Sequence, residues 1–312
     1  MISIVCPFYN EGEAAHSFFS ELMKVVDTLD ECVEIVCVND GSVDSTLDEL
    51  LDAQKKYKNI RIVDLSRNFG KEAALTAGLN YATGDAVIPI DADLQDPPEL
   101  IREFIKHWRN GYEVVLAKRA DRSSDSHMKR LTASLFYKVH NAISDIKIPE
   151  NIGDFRLMDR KVVDAVKKLP ENRRFMKGLF AWVGFKSATI EYVRKERSAG
   201  ETKFNGWRLW NLALEGIASF SSIPLRIWTY VGLLIAVFSF ITGGYIIVRT
   251  LWMGVVTPGY ASIIVAILFM SGIQLMGVGL LGEYIGRIYT EVKHRPIYLV
   301  RDVYEGTTNE SL

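Results

Sequence analysis

Cysteine is scarce in this chain: Cys6, Cys32 and Cys37 are the only three among 312 residues. Their spacing matches neither a zinc site nor a disulfide framework. Cys6 and Cys37 sit inside apolar runs, where a thiol serves as a small core side chain, and such usage fits a reducing compartment. A charge excess is missing too. With 37 Lys and Arg against 38 Asp and Glu, the formal net charge is −1. No global field draws the chain to nucleic acid, so any basic site is local. The opening residues MISIVCPFYNE lack a basic start and a long apolar stretch, which argues against a signal peptide. Residues 1 to about 220 contain no G-x-G-x-x-G and no G-x-x-x-x-G-K-[ST], so neither a dinucleotide fingerprint nor a P-loop is supported. No internal repeat or low-complexity segment occurs.

Long apolar runs, absent from that first part, dominate the last third. IWTYVGLLIAVFSFITGGYIIV (Ile227–Val248) and YASIIVAILFMSGIQLMGVGLLGEYIG (Tyr260–Gly286) contain no Lys or Arg. Each exceeds the roughly 20 residues needed to cross a bilayer's hydrocarbon core, which predicts two transmembrane helices within 225–290. The connector RTLWMGVVTPG carries only Arg249, whereas Arg226, Arg287, Lys293, Arg295 and Arg301 flank the opposite ends. The asymmetry predicts that the domain before residue 220 and the tail, 291–312, are both cytoplasmic. Trp228, Tyr230, Trp252, Tyr284 and Tyr289 lie where an aromatic belt would be. Gly282 and Gly286 form a G-x-x-x-G step, with Gly272, Gly277 and Gly279 nearby. Such residues permit close helix packing, although glycine is also simply tolerated in membrane helices.

The first 120 residues alternate between strand and helix patterns. ISIVCPFY, VEIVCVND, IRIVDLS, DAVIPID and YEVVLAKR read as strands. Helices are expected up to about residue 29, over DSTLDELLDAQKKY with Asp44 or Ser45 as N-cap, over KEAALTAGLNYAT, and after Pro97 and Pro98. This is the pattern of an α/β fold with a mostly parallel sheet and helices on both faces. Ligands of such sheets bind at the carboxyl ends of the strands. Those ends carry, in turn, Pro7, Asn10 and Glu11; Asn39, Asp40, Gly41 and Ser42; Arg67, Asn68, Gly70 and Lys71; Asp91, Asp93 and Gln95; and Lys118 and Arg119.

One of these ends is unusual. PIDADLQDPPE, residues 89–99, places Asp91, Asp93, Asp96 and Glu99 directly behind an apolar run. Carboxylates at i and i+2 on a tight turn face a common point, and a divalent cation there removes their repulsion. A solvated turn ahead of a proline-opened helix is the plainer alternative. All-oxygen donors suit Mg²⁺ or Mn²⁺, and a cation at a strand end suits a nucleotide diphosphate.

Taken together, VCPFYNE, VNDGSVDST, LSRNFGKEAALTAGL, DADLQDPPE and GDFRLMDR resemble the inverting glycosyltransferases of family 2, which have the GT-A fold. The two apolar segments and GEYIGRIYTEVKHRPIYLV narrow the resemblance to the polyprenyl-phosphate glycosyltransferases, nearest to the bactoprenol glucosyltransferase branch. It covers nearly the whole chain. The Q-x-x-R-W of processive polysaccharide synthases is missing, which speaks against a polymerising enzyme.

The resemblance implies roles residue by residue. Pro7, Asn10, Glu11, Asp40, Lys71 and Asp91 would hold the nucleotide sugar, and Asp91, Asp93 and Gln95 would surround Mg²⁺ or Mn²⁺. Asp93, Asp154 and Arg119 are the catalytic candidates, and Arg119, Arg156, Arg197 and Lys203 those for the acceptor phosphate and pyrophosphate. Asp96 and Glu99 are left as helix N-terminal charges. The implied partners are a UDP-hexose, a polyprenyl (undecaprenyl) phosphate and membrane lipids, with no nucleic acid. A homo-oligomer, specifically a tetramer, at a bacterial inner membrane is implied as well.

The acceptor expected here is a phosphate monoester, whose second pKa of about 6 leaves it mostly dianionic near pH 7. It needs no general base, and Asp154 is therefore expected to orient the acceptor or Arg156. Direct displacement would give a β-linked product from an α-linked donor. HMKRLTASLFYKVHNAI and GWRLWNLALEGIASF carry apolar residues at helical spacing with basic or aromatic neighbours. They predict interface helices at about 127–145 and 206–221. Two other activities share the motifs: the same chemistry with GDP-mannose, and transfer to a soluble acceptor, which the two spans disfavour. A membrane scaffold with a degenerate transferase domain is the non-enzymatic alternative, and an intact Asp91–Asp93 pair argues against it.

Overall fold

Strand β1 (Ile2–Phe8) begins a regular alternation with α1 (Gly12–Val26), β2 (Val33–Asn39), α2 (Thr46–Lys56), β3 (Ile60–Leu65), α3 (Lys71–Tyr81), β4 (Ala86–Pro89), α4 (Leu100–Arg109) and β5 (Val114–Arg119). There follow β6 (Ile152–Asp159), α5 (Arg160–Lys167), α6 (Met176–Trp182), β7 (Ser187–Tyr192), the long helices α7 (Ile223–Met253) and α8 (Tyr260–Val292), and β8 (Val300–Tyr304). The structure is a computed structural model and describes residues 1–120, 152–172, 174, 176–193, 223–253 and 259–306. The predicted interface helices at 127–145 and 206–221 lie outside the described residues.

The eight strands form one sheet in the order β7-β5-β6-β4-β1-β2-β3-β8. The central strands β4, β1, β2 and β3 are parallel, as is the β5–β7 pair. β6 runs antiparallel to both β4 and β5, and β8 antiparallel to β3. The mostly parallel sheet expected from the sequence is thus present, with two antiparallel strands added. The segment 291–312, expected as a tail beyond the second long helix, contributes β8.

The central strands are nearly continuous apolar runs because helices cover both of their faces. Phe18, Phe19 and Leu22 of α1 recur at helical spacing and are buried on one side. Phe8 meets Phe18 edge-on at 5.6 Å and stacks on Phe19 at 6.1 Å. On α3 the packing is closer, because Ala73, Ala74, Ala77 and Gly78 present little volume. A Cβ at Gly78 would run into Val5 of β1. The helix therefore lies tight on the sheet, and overpacking there would cost roughly 1–3 kcal/mol. This fixes where its first residue, Lys71, stands.

The chain divides into two compact units, one built on the sheet and closed by β8, the other containing α7 and α8. The two long helices have 31 and 33 residues, about 46 and 50 Å at 1.5 Å per residue. Large apolar side chains face outward on both, among them Leu234 and Phe238 on α7 and Phe269 and Leu275 on α8. Among the described residues, no helix is long and apolar enough to cross a membrane. Of the glycines expected to aid packing, Gly277 lies against the Trp228 ring, which a Cβ would strike. Gly272, Gly279, Gly282 and Gly286 have no neighbour within 4 Å of such a Cβ among the described residues.

Candidate active site

The loops after β1 and β2 are laced together. Asn10, in the left-handed region at φ 52°, donates its N–H to Ser42 Oγ at 3.0 Å and accepts from Val43 N at 3.0 Å. Glu11 N donates to Thr46 Oγ1 at 2.9 Å and Gly12 N to Asp44 Oδ2 at 3.2 Å. Asp44 thus bonds backbone and hydroxyl groups around the start of α2, while Ser45 occupies the N-cap position without a side-chain bond.

Asp40 ties β2 to the next loop. Its two carboxylate oxygens accept from Phe69 N at 2.7 Å and Gly70 N at 2.9 Å. Burial pushes its pKa above the ordinary value, partly offset by those N–H groups and by Arg67. Gly41 has φ 62°, and a Cβ there would collide with the Arg67 and Asn68 backbone, so only glycine lets the loops approach so closely. With 2% exposure, Asp40 holds the β3–α3 loop in place. The residue expected to contact the nucleoside is thus itself bonded to the backbone of that loop. Pro7 is partly buried within β1.

The centre of the site is a lysine between two carboxylates. Lys71 opens α3 after Gly70, and its Nζ lies 2.8 Å from both oxygens of Asp91. The same Nζ is 2.9 Å from Asp154 Oδ2. Asp91 follows β4. Asp154 arrives on β6, whose antiparallel register sets Asp159 beside Ala86 and so carries residues 152–155 towards the carboxyl end of β4. Desolvation alone would lower the Lys71 pKa, but Asp154 and Asp91 outweigh it and raise the pKa well above the ordinary value. For Asp154, burial pushes upward. Lys71, Lys177 and Arg156 together hold its carboxyl well below the usual carboxylate range.

The rest of the acidic turn is specialised. Leu94 takes φ 54°, which bends the chain so that Gln95 N donates to Asp93 Oδ1 at 3.1 Å. Gln95 is buried, and its Oε1 accepts no hydrogen bond from the described protein groups. Asp96, expected to be a helix N-terminal charge, is instead buried and accepts a short hydrogen bond from the Tyr192 hydroxyl on β7. Burial and Asp96 push the Tyr192 pKa up to about 12, against a hydrogen bond to Arg119. Arg119 ends β5 and approaches Gly153, so it belongs to the same edge as Asp154. Glu99 is exposed ahead of α4 and makes no capping bond.

Among the acceptor-side candidates, Arg156 is buried. Its guanidinium donates to Gly153 O at 2.6 Å and to Asp154 O at 3.4 Å, and lies 4.4 Å over the Phe180 ring. Burial lowers its pKa to about 10, against the pull of Asp154. It lines a cavity with Lys177, Phe180 and Phe185. Lys118 pairs with Glu191 at 2.8 Å on the surface. Arg197 and Lys203 lie outside the described residues.

Two site groups escape sequence reasoning: Lys177, which acts on Asp154, and Glu72, which faces it. Lys177 falls in the basic stretch NRRFMKG, the one signal that pointed to it.

Among the described residues no group of three or more His, Cys, Asp or Glu side chains converges as a metal site. Two carboxylates and the buried, unbonded Gln95 Oε1 nevertheless form a hard-oxygen donor set on one turn, which fits Mg²⁺ or Mn²⁺ completed by phosphate oxygens. The Lys71 ammonium competes for one of those carboxylates.

Residues 3–167 match the family described as Glycosyl transferase family 2, and residues 223–288 match the GtrB C-terminal hairpin. The SfII prophage-derived bactoprenol glucosyl transferase of Shigella flexneri is 53% identical over 98% of this chain and 99% of its own length. A prophage bactoprenol glucosyl transferase homolog of Escherichia coli K12 is 54% identical over 97% and 99%. An uncharacterized glycosyltransferase of Synechocystis is 54% identical over 97% and 95%. Among solved structures, mannosyl-3-phosphoglycerate synthase of Rubrobacter xylanophilus is similar over 70% of this chain and 73% of that one, at TM-score 0.48 and 16% identity. That distance carries no residue roles. The match over the sheet domain and the end-to-end identity make this chain a member of glycosyl transferase family 2, an enzyme of the GT-A-like α/β type.

Proposed function

We propose that this enzyme moves glucose from UDP-glucose to a polyprenyl phosphate at the cytoplasmic face of a bacterial inner membrane, with inversion to a β-linked lipid phosphate sugar. The observation that carries this reading is the identity to bactoprenol glucosyl transferases, which runs through both the sheet domain and the helical hairpin. In this reading α7 and α8 are the membrane anchor. Their outward apolar side chains and their uncharged cores, Ile227–Val248 and Tyr260–Gly286 up to Glu283, support it. β8 supports it too: a chain that leaves the sheet for the hairpin and returns to pair with β3 requires an even number of crossings.

Asp91, Asp93 and Gln95 would hold the cation, which when bound neutralises the donor's diphosphate and its leaving charge. The chain's own residues do the rest. The crossed loops of Asn10, Glu11 and Asp40 form the nucleoside end of the cleft. Arg119 at the end of β5, together with Arg197 and Lys203, supplies positive charge to the acceptor phosphate, without which two anions would repel. Asp154 is a poor proton acceptor because Lys71, Lys177 and Arg156 stabilise its ionised form. That suits a dianionic nucleophile, which brings no proton to remove. Asp154 then positions Lys71 and the acceptor.

The test is a donor screen with the purified full chain and undecaprenyl phosphate. UDP-glucose is expected to give a lipid-linked, β-configured product that requires Mg²⁺ or Mn²⁺. Product from GDP-mannose alone would replace the donor assignment, and no product from any UDP- or GDP-sugar would overturn the activity.

A further inference from the structure

The Lys71 ammonium already occupies the place of a cation. It lies 2.8 Å from both oxygens of Asp91 and 2.9 Å from Asp154. An ammonium 2.8 Å from both oxygens competes with a divalent ion for the same carboxylate, because the two positive charges repel at close range. Nor does the backbone favour a cation here, since the N-terminus of α3 carries the positive end of the helix dipole. The two carboxylates are what retain it. The Lys71 side chain is 47% exposed and has a flexible four-carbon stem. Asp154 offers it a second anchor away from the acidic turn.

We infer that Lys71 is an internal counter-ion, which holds Asp91 before the cation binds and is displaced from it, withdrawing to Asp154, when the cation arrives. The inference rests on the metal-dependent reading above and adds an order to it. The cation alone binds weakly because it must break the Lys71–Asp91 contact. A nucleoside diphosphate adds negative charge on the cation's other side and tips the exchange. Lys71 then stands beside the bound diphosphate, still fixed by Asp154.

The experiment measures Mn²⁺ binding to the full chain by electron paramagnetic resonance of the free ion, with and without UDP. Lys71→Met keeps the stem and removes the charge. It is expected to bind Mn²⁺ without UDP about tenfold more tightly than the unmodified protein, and to gain less from UDP. Adding Asp91→Asn should cancel the increase, and Lys71→Arg should show none. Equal or weaker binding by Lys71→Met, while Asp91→Asn still weakens binding in the otherwise unmodified protein, overturns this inference alone. Absence of Mn²⁺ binding in every form, with UDP present, overturns the metal-dependent reading and this inference with it. A second measurement needs no variant. Mass-resolved acylation of Lys71 in the unmodified protein should accelerate when Mn²⁺ is added, and a rate that Mn²⁺ leaves unchanged counts against displacement.

Discussion

Arg301 and Asp64, 237 positions apart in the chain, are paired: the guanidinium donates to Oδ2 at 3.4 Å and to Ser66 O at 2.8 Å. Asp64 is 1% exposed and also accepts from Asn39 Nδ2 at 2.7 Å. Asn39 in turn accepts from Ser42 N at 3.3 Å in the loop that meets Asn10. A residue beyond the second long helix thus neutralises a buried carboxylate beneath the loops that carry Asn10 and Ser42. Arg301→Ala should destabilise the sheet domain by about 1–2 kcal/mol, less than for a fully buried pair because the arginine is half exposed. In Asp64→Asn the same change should cost much less. Denaturant unfolding of the four proteins checks this, and additive losses would mean that the pair is not coupled.

Glu72, beside Lys71 on α3, predicts a stability that falls with pH. Burial pushes its pKa from 4.5 up to about 7, helped by Asp154 and opposed by Lys71, a backbone N–H of Met176 and Lys177. The folded state therefore holds a proton that the unfolded chain has lost between those values. Its contribution is intact below pH 4.5 and disappears as pH rises through 7. Glu72→Gln should match the unmodified protein in unfolding free energy near pH 4.5 and exceed it at pH 8, by up to about 3 kcal/mol. Parallel pH profiles for the two proteins would remove the effect.

Asp154→Asn separates a positioning carboxylate from a base. Single-turnover transfer from pH 5 to 8.5 should rise as the acceptor phosphate becomes dianionic near its pKa of about 6, then level off. The variant should be slower and keep the same profile. If its residual activity loses the ascending limb while the unmodified enzyme retains it, Asp154 is the base.

Topology is open to labelling. Cys32 is exposed, while Cys6 and Cys37 are buried, so a Cys32→Ser background leaves little intrinsic signal. A cysteine introduced between 254 and 259 should react with an impermeant reagent outside intact cells, and one introduced at Glu305 should not. Reaction at Glu305 would overturn the orientation.

The central sheet was legible because β1 to β4 are nearly continuous apolar runs followed by Asn, Asp and Gly, and because side-chain period and turn chemistry agree there. Asp91, Asp93 and Asp154 were legible as candidates, each within its own motif. The meeting of Asp91 and Asp154 at Lys71 was not. It depends on β6 entering between β4 and β5 in the reverse direction, which no local pattern encodes. Asp96 was misread for a similar reason: its partner, Tyr192, comes from β7, 96 residues later. VRDVY, only five residues long, carries no periodic signal strong enough to mark β8 as a strand.

β8 also sets an order of events in synthesis. β3 emerges early, yet its partner follows both long helices, and Gln54 waits 250 residues for the Tyr304 carbonyl. Throughout that interval β3 is an open edge, with unpaired N–H and C=O groups able to recruit a neighbouring chain. The sheet can close only after the hairpin has been made. A ribosome stalled while the two long helices are being made would therefore hold a sheet complete but for β8 and still adhesive along β3.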